Sequence, residues 1–224
     1  AGLPPGVLNV VPGYGDAGAA LVAHPGVDKI SFTGSTATGK QVLRSAAESI
    51  KRVTLELGGK SPCVVFDDAD MDKAIPGAAM AIFANSGQVC FAGSRLYVQR
   101  RTFDRVVEGV ASFAKSLNVG PGFDAGNQIG PLISAKQLQR VTDYIALGER
   151  EGGQVIAGGK RVGGEGFFIE PTVFTNLAAG ARMAREEIFG PVVVATPFDD
   201  FDEVVAMAND TNYGLCAGIF TSSL

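Results

Sequence analysis

Residues 29–59 read KISFTGSTATGKQVLRSAAESIKRVTLELGG, and this stretch indicates the fold of the chain. Two short runs with apolar and β-branched residues, Lys29 to Phe32 and Arg52 to Leu55, flank a segment of helical spacing from Ser35 to Ala47. A strand, a helix and a strand in this order form a βαβ unit, in which the strands pair in parallel. The stretch therefore predicts an α/β fold with a largely parallel sheet.

The alternation of strands and helices extends to both sides of this unit. We expect further strands at Val7 to Val11, Cys63 to Phe66, Leu96 to Val98, Gln154 to Ala157, Phe168 to Thr172 and Val192 to Thr196. We expect further helices at Asp16 to Ala23, Met71 to Phe83, Phe103 to Leu117, Ala135 to Arg150 and Phe201 to Asn209. The pair Gly58-Gly59 predicts a hinge, so we place a domain boundary between residues 1–58 and 59–224.

Composition limits the classes of function. The chain is 46% hydrophobic and carries a net charge of −4, with no sustained basic patch. This balance predicts a globular protein with a substantial core and argues against nucleic acid as a partner. No apolar run approaches the roughly 20 residues that span a bilayer, so we expect no membrane segment.

The three cysteines and the single histidine limit the chemistry further. An odd number of cysteines without a Cys-x-x-Cys spacing argues against a disulfide framework and a structural zinc site, and it favours a reducing cytoplasm. Cys63 and Cys216 lie in apolar runs, which predicts core packing for both. His24 precedes a proline in a turn, so neither a Ser-His-Asp triad nor a histidine-rich metal site is expected.

Cys90 is the candidate nucleophile. It lies in residues 85–95, NSGQVCFAGSR, among small, polar and permissive residues. A reactive cysteine needs such a setting, because nearby backbone N–H groups and partial positive charge favour the thiolate, and the thiolate is the attacking species. The alternative is that Cys90 is a small buried hydrophobic residue, as free cysteines often are.

Glu56 is the candidate general base. It closes the strand Arg52 to Leu55 just before the Gly58-Gly59 turn, so its carboxyl group points into the space beyond the strand end. Burial there would raise its pKa toward the range that base catalysis requires. An ordinary surface carboxylate is the alternative.

The turn at Gly34 and Ser35 is a candidate anion site. It ends a strand and opens a helix, so unpaired N–H groups and the positive end of the helix face an anion placed there. Ser35 could add its hydroxyl to a phosphate oxygen, although a serine in this position is also a common N-cap. Upstream, Gly13 lies in a second glycine turn.

These motifs together resemble the aldehyde dehydrogenase superfamily. The sequence LELGGKSP at residues 55–62 is similar to the family's glutamate signature, and residues 85–95 are similar to its cysteine signature, in the family's order and spacing. Three further segments extend the resemblance along the chain: FTGST at residues 32–36, GPL at residues 130–132 and EEIFGPV at residues 186–192. The resemblance implies a partial Rossmann-type nucleotide-binding domain in residues 1–58, followed by an α/β catalytic domain in residues 59–224.

The resemblance also implies a reaction. The Cys90 thiolate would add to an aldehyde, a hydride would pass to NAD or NADP, and Glu56 would activate water to hydrolyse the thioester to a carboxylic acid. The implied cofactor contacts are the pyrophosphate at Gly34 and Ser35, the dinucleotide near Gly13, the nicotinamide amide at the Leu57 backbone, and the ribose hydroxyls at Glu187 with Phe189 packed nearby. Gln137 and Arg140, one helical turn apart, align with positions that can reach the same ribose; an exposed helix face is the alternative.

Several consequences of the resemblance concern the whole enzyme. It implies a homodimeric or homotetrameric parent of which this chain lacks both terminal parts, so we expect the isolated chain to be a poor catalyst. The sequence around Cys90 is most similar to phenylacetaldehyde-type enzymes, with betaine-aldehyde-type enzymes as the alternative substrate class. Two other functions stay open: an NAD-independent cysteine esterase or acyl transferase, and a module with only a structural role.

Overall fold

The computed structural model describes residues 2–223. By its internal contacts the chain divides into two compact units, and the division lies between Gly58 and Gly59.

The first unit contains a βαβ element. Its helices and strands are α1 (Gly15–Ala23), β1 (Lys29–Thr33), α2 (Thr36–Ala47) and β2 (Arg52–Glu56). β1 and β2 pair in parallel with Ile30 opposite Val53 and Thr33 opposite Glu56. Ile30 and Val42 are buried between the strands and α2, and this packing holds the unit together. The βαβ prediction is confirmed.

The strand predicted at Val7 to Val11 is wrong. These residues adopt no regular structure, and Val10 is 82% exposed. The valine-rich run has the composition of a strand, but a strand also needs a hydrogen-bonding neighbour. Among the described residues of this unit, β1 and β2 pair only with each other.

The second unit is built on a six-stranded sheet. Its strands are β3 (Pro62–Val65), β4 (Arg95–Gln99), β5 (Gln154–Ala157), β6 (Thr172–Thr175), β7 (Val192–Phe198) and β8 (Gly218–Phe220). Its helices are α3 (Met71–Phe83), α4 (Phe103–Ser116), α5 (Ala135–Arg150), α6 (Arg182–Arg185) and α7 (Phe201–Asn209). The strand order is β5-β6-β7-β4-β3-β8, in which every pair is parallel except β5 with β6.

The centre of this sheet is buried on both faces. β3 and β6 are buried along their whole lengths, as continuous apolar strands of a parallel sheet usually are. The main apolar cluster joins α3 and α4 to the sheet, with Ile82 and Val110 among its members, and a second cluster joins α5 to β6 and β7. The rigid sheet ends supply the positions from which the functional loops start.

Two further predictions need correction. The strand expected at Phe168 to Thr172 begins only at Thr172, because Ile169 forms no more than an isolated bridge with Arg161. Cys216 was expected in the core, but it is exposed. It precedes the short edge strand β8 instead of lying inside a buried strand, and so the apolar run around it does not bring it into the core.

No helix within residues 2–223 combines the length and the apolar character that crossing a membrane requires. Over the same residues, no group of three or more His, Cys, Asp and Glu side chains has an arrangement that could hold a metal ion.

Candidate active site

The nucleophile candidate follows a turn of left-handed backbone. α3 ends at Phe83, and after Ala84 the residues Asn85, Ser86 and Gly87 have φ values of 51°, 56° and 67°. Left-handed conformations cost about 1–2 kcal/mol for a residue with a Cβ atom. The turn reverses the chain abruptly and leaves Cys90 partly exposed before β4 begins.

Hydrogen bonds to one neighbouring loop stabilise this turn. The buried Ser86 donates its Oγ hydrogen to the carbonyl oxygen of Gly130 at 2.8 Å. The Gln88 Oε1 atom accepts from the backbone N–H of Ile133 at 2.9 Å. Gly130 of the Gly130-Pro131-Leu132 motif and Ile133 just after it therefore supply backbone partners that fix the cysteine loop, a role that the sequence did not indicate.

Two glycines let backbone segments touch around Cys90. A Cβ atom on Gly59 would lie 2.2 Å from the carbonyl oxygen of Cys90. A Cβ atom on Gly87 would lie 2.1 Å from the carbonyl oxygen of Gly190. Both separations are far below van der Waals contact, so only glycine fits at these two positions. The glutamate, cysteine and EEIFGPV motifs thus meet through their main chains.

Glu187 lies at this meeting point. Its Oε1 atom accepts a hydrogen bond from the Gly59 N–H at 3.1 Å, which leaves the carboxylate further lone pairs for a ligand. A small crevice beside it is lined in part by Gly87, Val89 and Phe189. Glu187 and the cysteine loop are therefore joined within one unit, as the predicted site requires.

Gln137 and Arg140 hold the loop that carries Glu187. The Gln137 Nε2 atom donates to the carbonyl oxygens of Ile188 and Phe189 at 3.0 and 2.7 Å. The Arg140 guanidinium donates to the carbonyl oxygens of Glu187 and Ile188. These bonds stabilise Phe189 at φ 60°, where a bulky residue is strained. Both side chains thus bind the loop that carries Glu187, and the ribose contact that the resemblance implies for them stays a prediction.

The cysteines differ in their surroundings. Burial raises the pKa of Cys63 to about 12, so its thiol stays protonated and inert, and the core-packing prediction for it is confirmed. Cys90 is partly exposed and Cys216 exposed. The carbonyl oxygen of Cys90 lies against Gly59, whose N–H binds Glu187.

Lys60 and Arg95 are buried polar residues that the sequence reasoning missed. Lys60 is 1% exposed, and its Nζ atom donates to the Met183 carbonyl oxygen at 2.9 Å. The buried Arg95 donates from Nε to the Lys60 carbonyl oxygen at 2.7 Å. Burial, with a smaller contribution from the charge of Arg95, lowers the pKa of Lys60 from 10.5 to about 7. The sequence feature that could have indicated them is their position inside the two signatures, Lys60 in GGKSP and Arg95 in AGSR.

The first unit contains three other predicted site residues, Gly34, Ser35 and Glu56. Thr33 and Glu56 are register partners at the ends of β1 and β2, and the Gly34 N–H donates to the Glu56 carbonyl oxygen at 3.0 Å. Ser35 is the N-cap of α2, with its Oγ accepting from the Thr38 N–H at 3.1 Å. Glu56, Gly34 and Ser35 thus share one end of the parallel pair, and the Glu56 side chain is exposed.

Leu57 and Gly13 have simpler surroundings. The Leu57 side chain packs over Gly39 of α2, where an added Cβ would lie 2.6 Å from Leu57 Cδ2. Gly13 lies in the exposed segment before α1, close to Ala17. An open groove of the second unit runs along α5 and Arg182, and its lining contains no residue of the cysteine loop.

Comparison with known proteins identifies the family. The family model described as "Aldehyde dehydrogenase family" matches residues 1–224. The putative aldehyde dehydrogenase DhaS of Bacillus subtilis is 50% identical over 100% of this chain and 46% of its own length. The betaine aldehyde dehydrogenase of Brucella ovis is 49% identical over 100% of this chain and 47% of its own length.

A solved structure supports the same family. The NAD⁺ complex of an aldehyde dehydrogenase from Bacillus cereus is 49% identical and superimposes with a TM-score of 0.98, covering 100% of this chain and 46% of that one. The chain belongs to the aldehyde dehydrogenase family and has its α/β fold, which confirms the resemblance. It spans about half the length of the curated relatives it matches.

The contact of Gly87 with Gly190 predicts a specific sensitivity. Replacing Gly87 by alanine adds a Cβ at φ +67° and 2.1 Å from a backbone oxygen. We expect Gly87→Ala to lower the free energy of unfolding by at least about 2 kcal/mol, since the left-handed conformation alone costs about 1–2 kcal/mol. Urea denaturation measures this, with Gly126→Ala as the control because nothing lies within 4 Å of its added Cβ. Equal stability of the two variants would contradict the packing described.

Lys60 predicts a pH dependence of stability. The unfolded chain keeps the Lys60 proton up to about pH 10.5 and the folded chain only up to about pH 7. Between these values the unfolded state binds more protons, so the free energy of unfolding rises with pH, and below pH 7 this contribution is constant. Lys60→Met removes the contribution. We expect the variant to be more stable than the original chain at pH 6.5 and to keep a clearly smaller advantage at pH 9, where part of the titration is still to come.

The control for this measurement is Lys73→Met. Lys73 forms an exposed pair with Asp70, with 82% of its side chain accessible, so its removal should change stability by the same small amount at both pH values. A Lys60→Met stability difference that does not change between pH 6.5 and 9 would contradict the predicted titration.

Proposed function

We propose that the enzyme containing this chain oxidises an aldehyde to a carboxylic acid with NAD⁺ or NADP⁺. The observation that carries the proposal is the junction of Gly59, Cys90 and Glu187, in which a partly exposed thiol and a tethered carboxylate share one backbone contact. Membership of the family and the NAD⁺ complex of the Bacillus cereus relative support the cofactor class.

In the proposed reaction the Cys90 thiolate attacks the aldehyde carbon and forms a tetrahedral thiohemiacetal. The left-handed turn before Cys90 holds the thiol out of the core, and the backbone N–H of Cys90 is proposed as one donor to the developing oxyanion. Loss of a hydride from the adduct gives a thioester on Cys90. The nicotinamide group, when bound, accepts that hydride.

The residues present fit a dinucleotide. Glu187 has the chemistry to accept two hydrogen bonds from a ribose diol, and the Gly59 N–H fixes its orientation. Gln137 and Arg140 keep the loop of Glu187 and Phe189 in place. In the first unit, the Gly34-Ser35 turn at the start of α2 suits a pyrophosphate, with Gly13 and Leu57 assigned to other parts of the same cofactor.

Glu56 is proposed to complete the reaction. Its carboxylate closes β2, where an exposed side chain can take a proton from water, and the activated water hydrolyses the thioester. The thiolate of Cys90 is then released together with the acid.

The finer properties are also proposals. The similarity to betaine aldehyde dehydrogenases keeps that substrate class beside the phenylacetaldehyde-type class predicted from the residues around Cys90. A dimeric or tetrameric parent, a cytoplasmic location and poor activity of the isolated chain stay predictions. So do the assignments of a nucleotide-binding half-domain before Gly59 and a catalytic domain after it.

Variants of a family-length enzyme that contains this sequence test the proposal. Cys90→Ser should lower the rate of NADH formation by at least about a thousandfold, because the nucleophile is lost. Cys216→Ser, the matched control, should keep full activity. Glu56→Gln should give one rapid burst of NADH per site and then stall, since hydride transfer precedes hydrolysis.

Stopped-flow absorbance at 340 nm measures both phases. Unchanged turnover in Cys90→Ser would contradict the mechanism. Release of acid from an ester substrate at the same rate with and without a nicotinamide cofactor, together with no oxidation of aldehydes, would favour the cysteine esterase function instead.

A further inference from the structure

Lys60 carries a buried amino group with no carboxylate in contact. Its side chain is 1% exposed, and in the part of the chain that the structure describes no carboxylate oxygen lies within 4.0 Å of it. Its one hydrogen-bond acceptor is the carbonyl oxygen of Met183 at 2.9 Å. A lysine buried in this way lowers stability, and an apolar side chain of similar length would avoid the cost.

The partner of Lys60 lies just before Glu187. Met183 belongs to the four-residue helix α6. The last carbonyl oxygens of a helix receive no hydrogen bond from N–H groups of the same helix. Lys60 satisfies one of these carbonyls, and the Glu151 carboxylate accepts from the N–H groups of Arg182 and Met183 at 3.0 and 3.2 Å. The segment from 182 to 187 is therefore fixed by side chains at its start and middle.

Gly59 and Lys60, which are adjacent in the sequence, bind the two ends of the segment from Met183 to Glu187. The Gly59 N–H binds the Glu187 carboxylate, and Lys60 binds the backbone four residues earlier. The Lys60 backbone is itself held by Arg95, which donates to its carbonyl oxygen at 2.7 Å. Movement of the Lys60 side chain would thus remove one of the bonds that position the segment before Glu187, while the Gly59 contact with Cys90 remains.

The charges around Lys60 have both signs. Arg95 and Arg140 disfavour its protonated form, and Glu187 and Glu186 favour it. Glu186 is itself bound by Arg182 and Tyr144, so it is committed to another network. Of these two carboxylates, Glu187 is the one that we propose to bind the ribose of the cofactor.

We propose that Lys60 is a positioning residue for the cofactor, which acts through α6 to hold the Glu187 carboxylate in its ribose-binding position. The inference rests on the proposed function, because it takes the ligand of Glu187 to be a nicotinamide dinucleotide. It explains why a buried lysine, which costs stability, occupies a site where methionine would fit. Lys60 takes no part in the chemistry at Cys90.

A double-mutant cycle on the full chain tests this inference. The affinity for NAD⁺ is measured by calorimetry at pH 7.5 for the original chain, Lys60→Met, Glu187→Gln and the double variant. We expect Lys60→Met and Glu187→Gln each to weaken NAD⁺ binding about tenfold, which corresponds to the loss of one hydrogen-bonded contact to a charged group. The double variant should bind no more weakly than Glu187→Gln alone, since both changes act on one contact.

Two readouts separate positioning from general damage. The urea midpoint of Lys60→Met should be equal to or above that of the original chain, and its Cys90 should react with iodoacetamide at a rate within about twofold of the original. Weaker NAD⁺ binding together with a lower midpoint, or additive losses in the cycle, would overturn the assignment of Lys60.

Comparison of Glu187→Gln with Lys60→Met shows whether the role of Lys60 fails alone or together with the proposed function. If the original chain binds NAD⁺ and Glu187→Gln weakens that binding while Lys60→Met does not, the proposal for Lys60 fails alone. If Glu187→Gln binds NAD⁺ as tightly as the original chain, the ribose assignment of Glu187 fails, and the role of Lys60 fails with it.

Discussion

The constraint on which the site depends is the contact of main chains at two glycines. Gly59 lies against the Cys90 carbonyl and Gly87 against the Gly190 carbonyl, with no room for a side chain at either contact. These contacts bring three distant segments together without intervening side chains. The positions of the Cys90 thiol and the Glu187 carboxylate then follow from the backbone, which is more rigid than any chain of side-chain contacts.

Side chains that bind backbone carbonyl groups complete this arrangement. Ser86 secures the cysteine loop, Gln137 and Arg140 secure the loop of Glu187, and Lys60 secures the helix before it. Each bond stabilises a segment whose conformation is strained or whose carbonyl would otherwise be buried without a donor. The strained backbone and the buried polar side chains lower stability but hold these segments in fixed positions, as is common where a site needs preorganised groups.

The sequence predicted the βαβ unit, the family and the burial of Cys63, because hydrophobic period and signature motifs carry that information locally. It failed at Val7 to Val11 and at Cys216, since a strand-like composition does not reveal whether a hydrogen-bonding neighbour or a covering layer exists. The left-handed turn at Asn85 and Ser86 and the burial of Lys60 depend on residues far away in the chain. Propensity cannot show such long-range packing, and only the structure reveals it.

We propose that Cys90 is an accessible nucleophile beside a nucleotide site. Limited alkylation of the full chain with iodoacetamide near neutral pH, followed by peptide mapping with and without NAD⁺, tests it most directly. We expect labelling of Cys90, none of the buried Cys63, and a labelling rate of Cys90 that NAD⁺ changes while the rate of Cys216 stays constant. Equal labelling of the three cysteines, or no effect of NAD⁺ on Cys90, would contradict it.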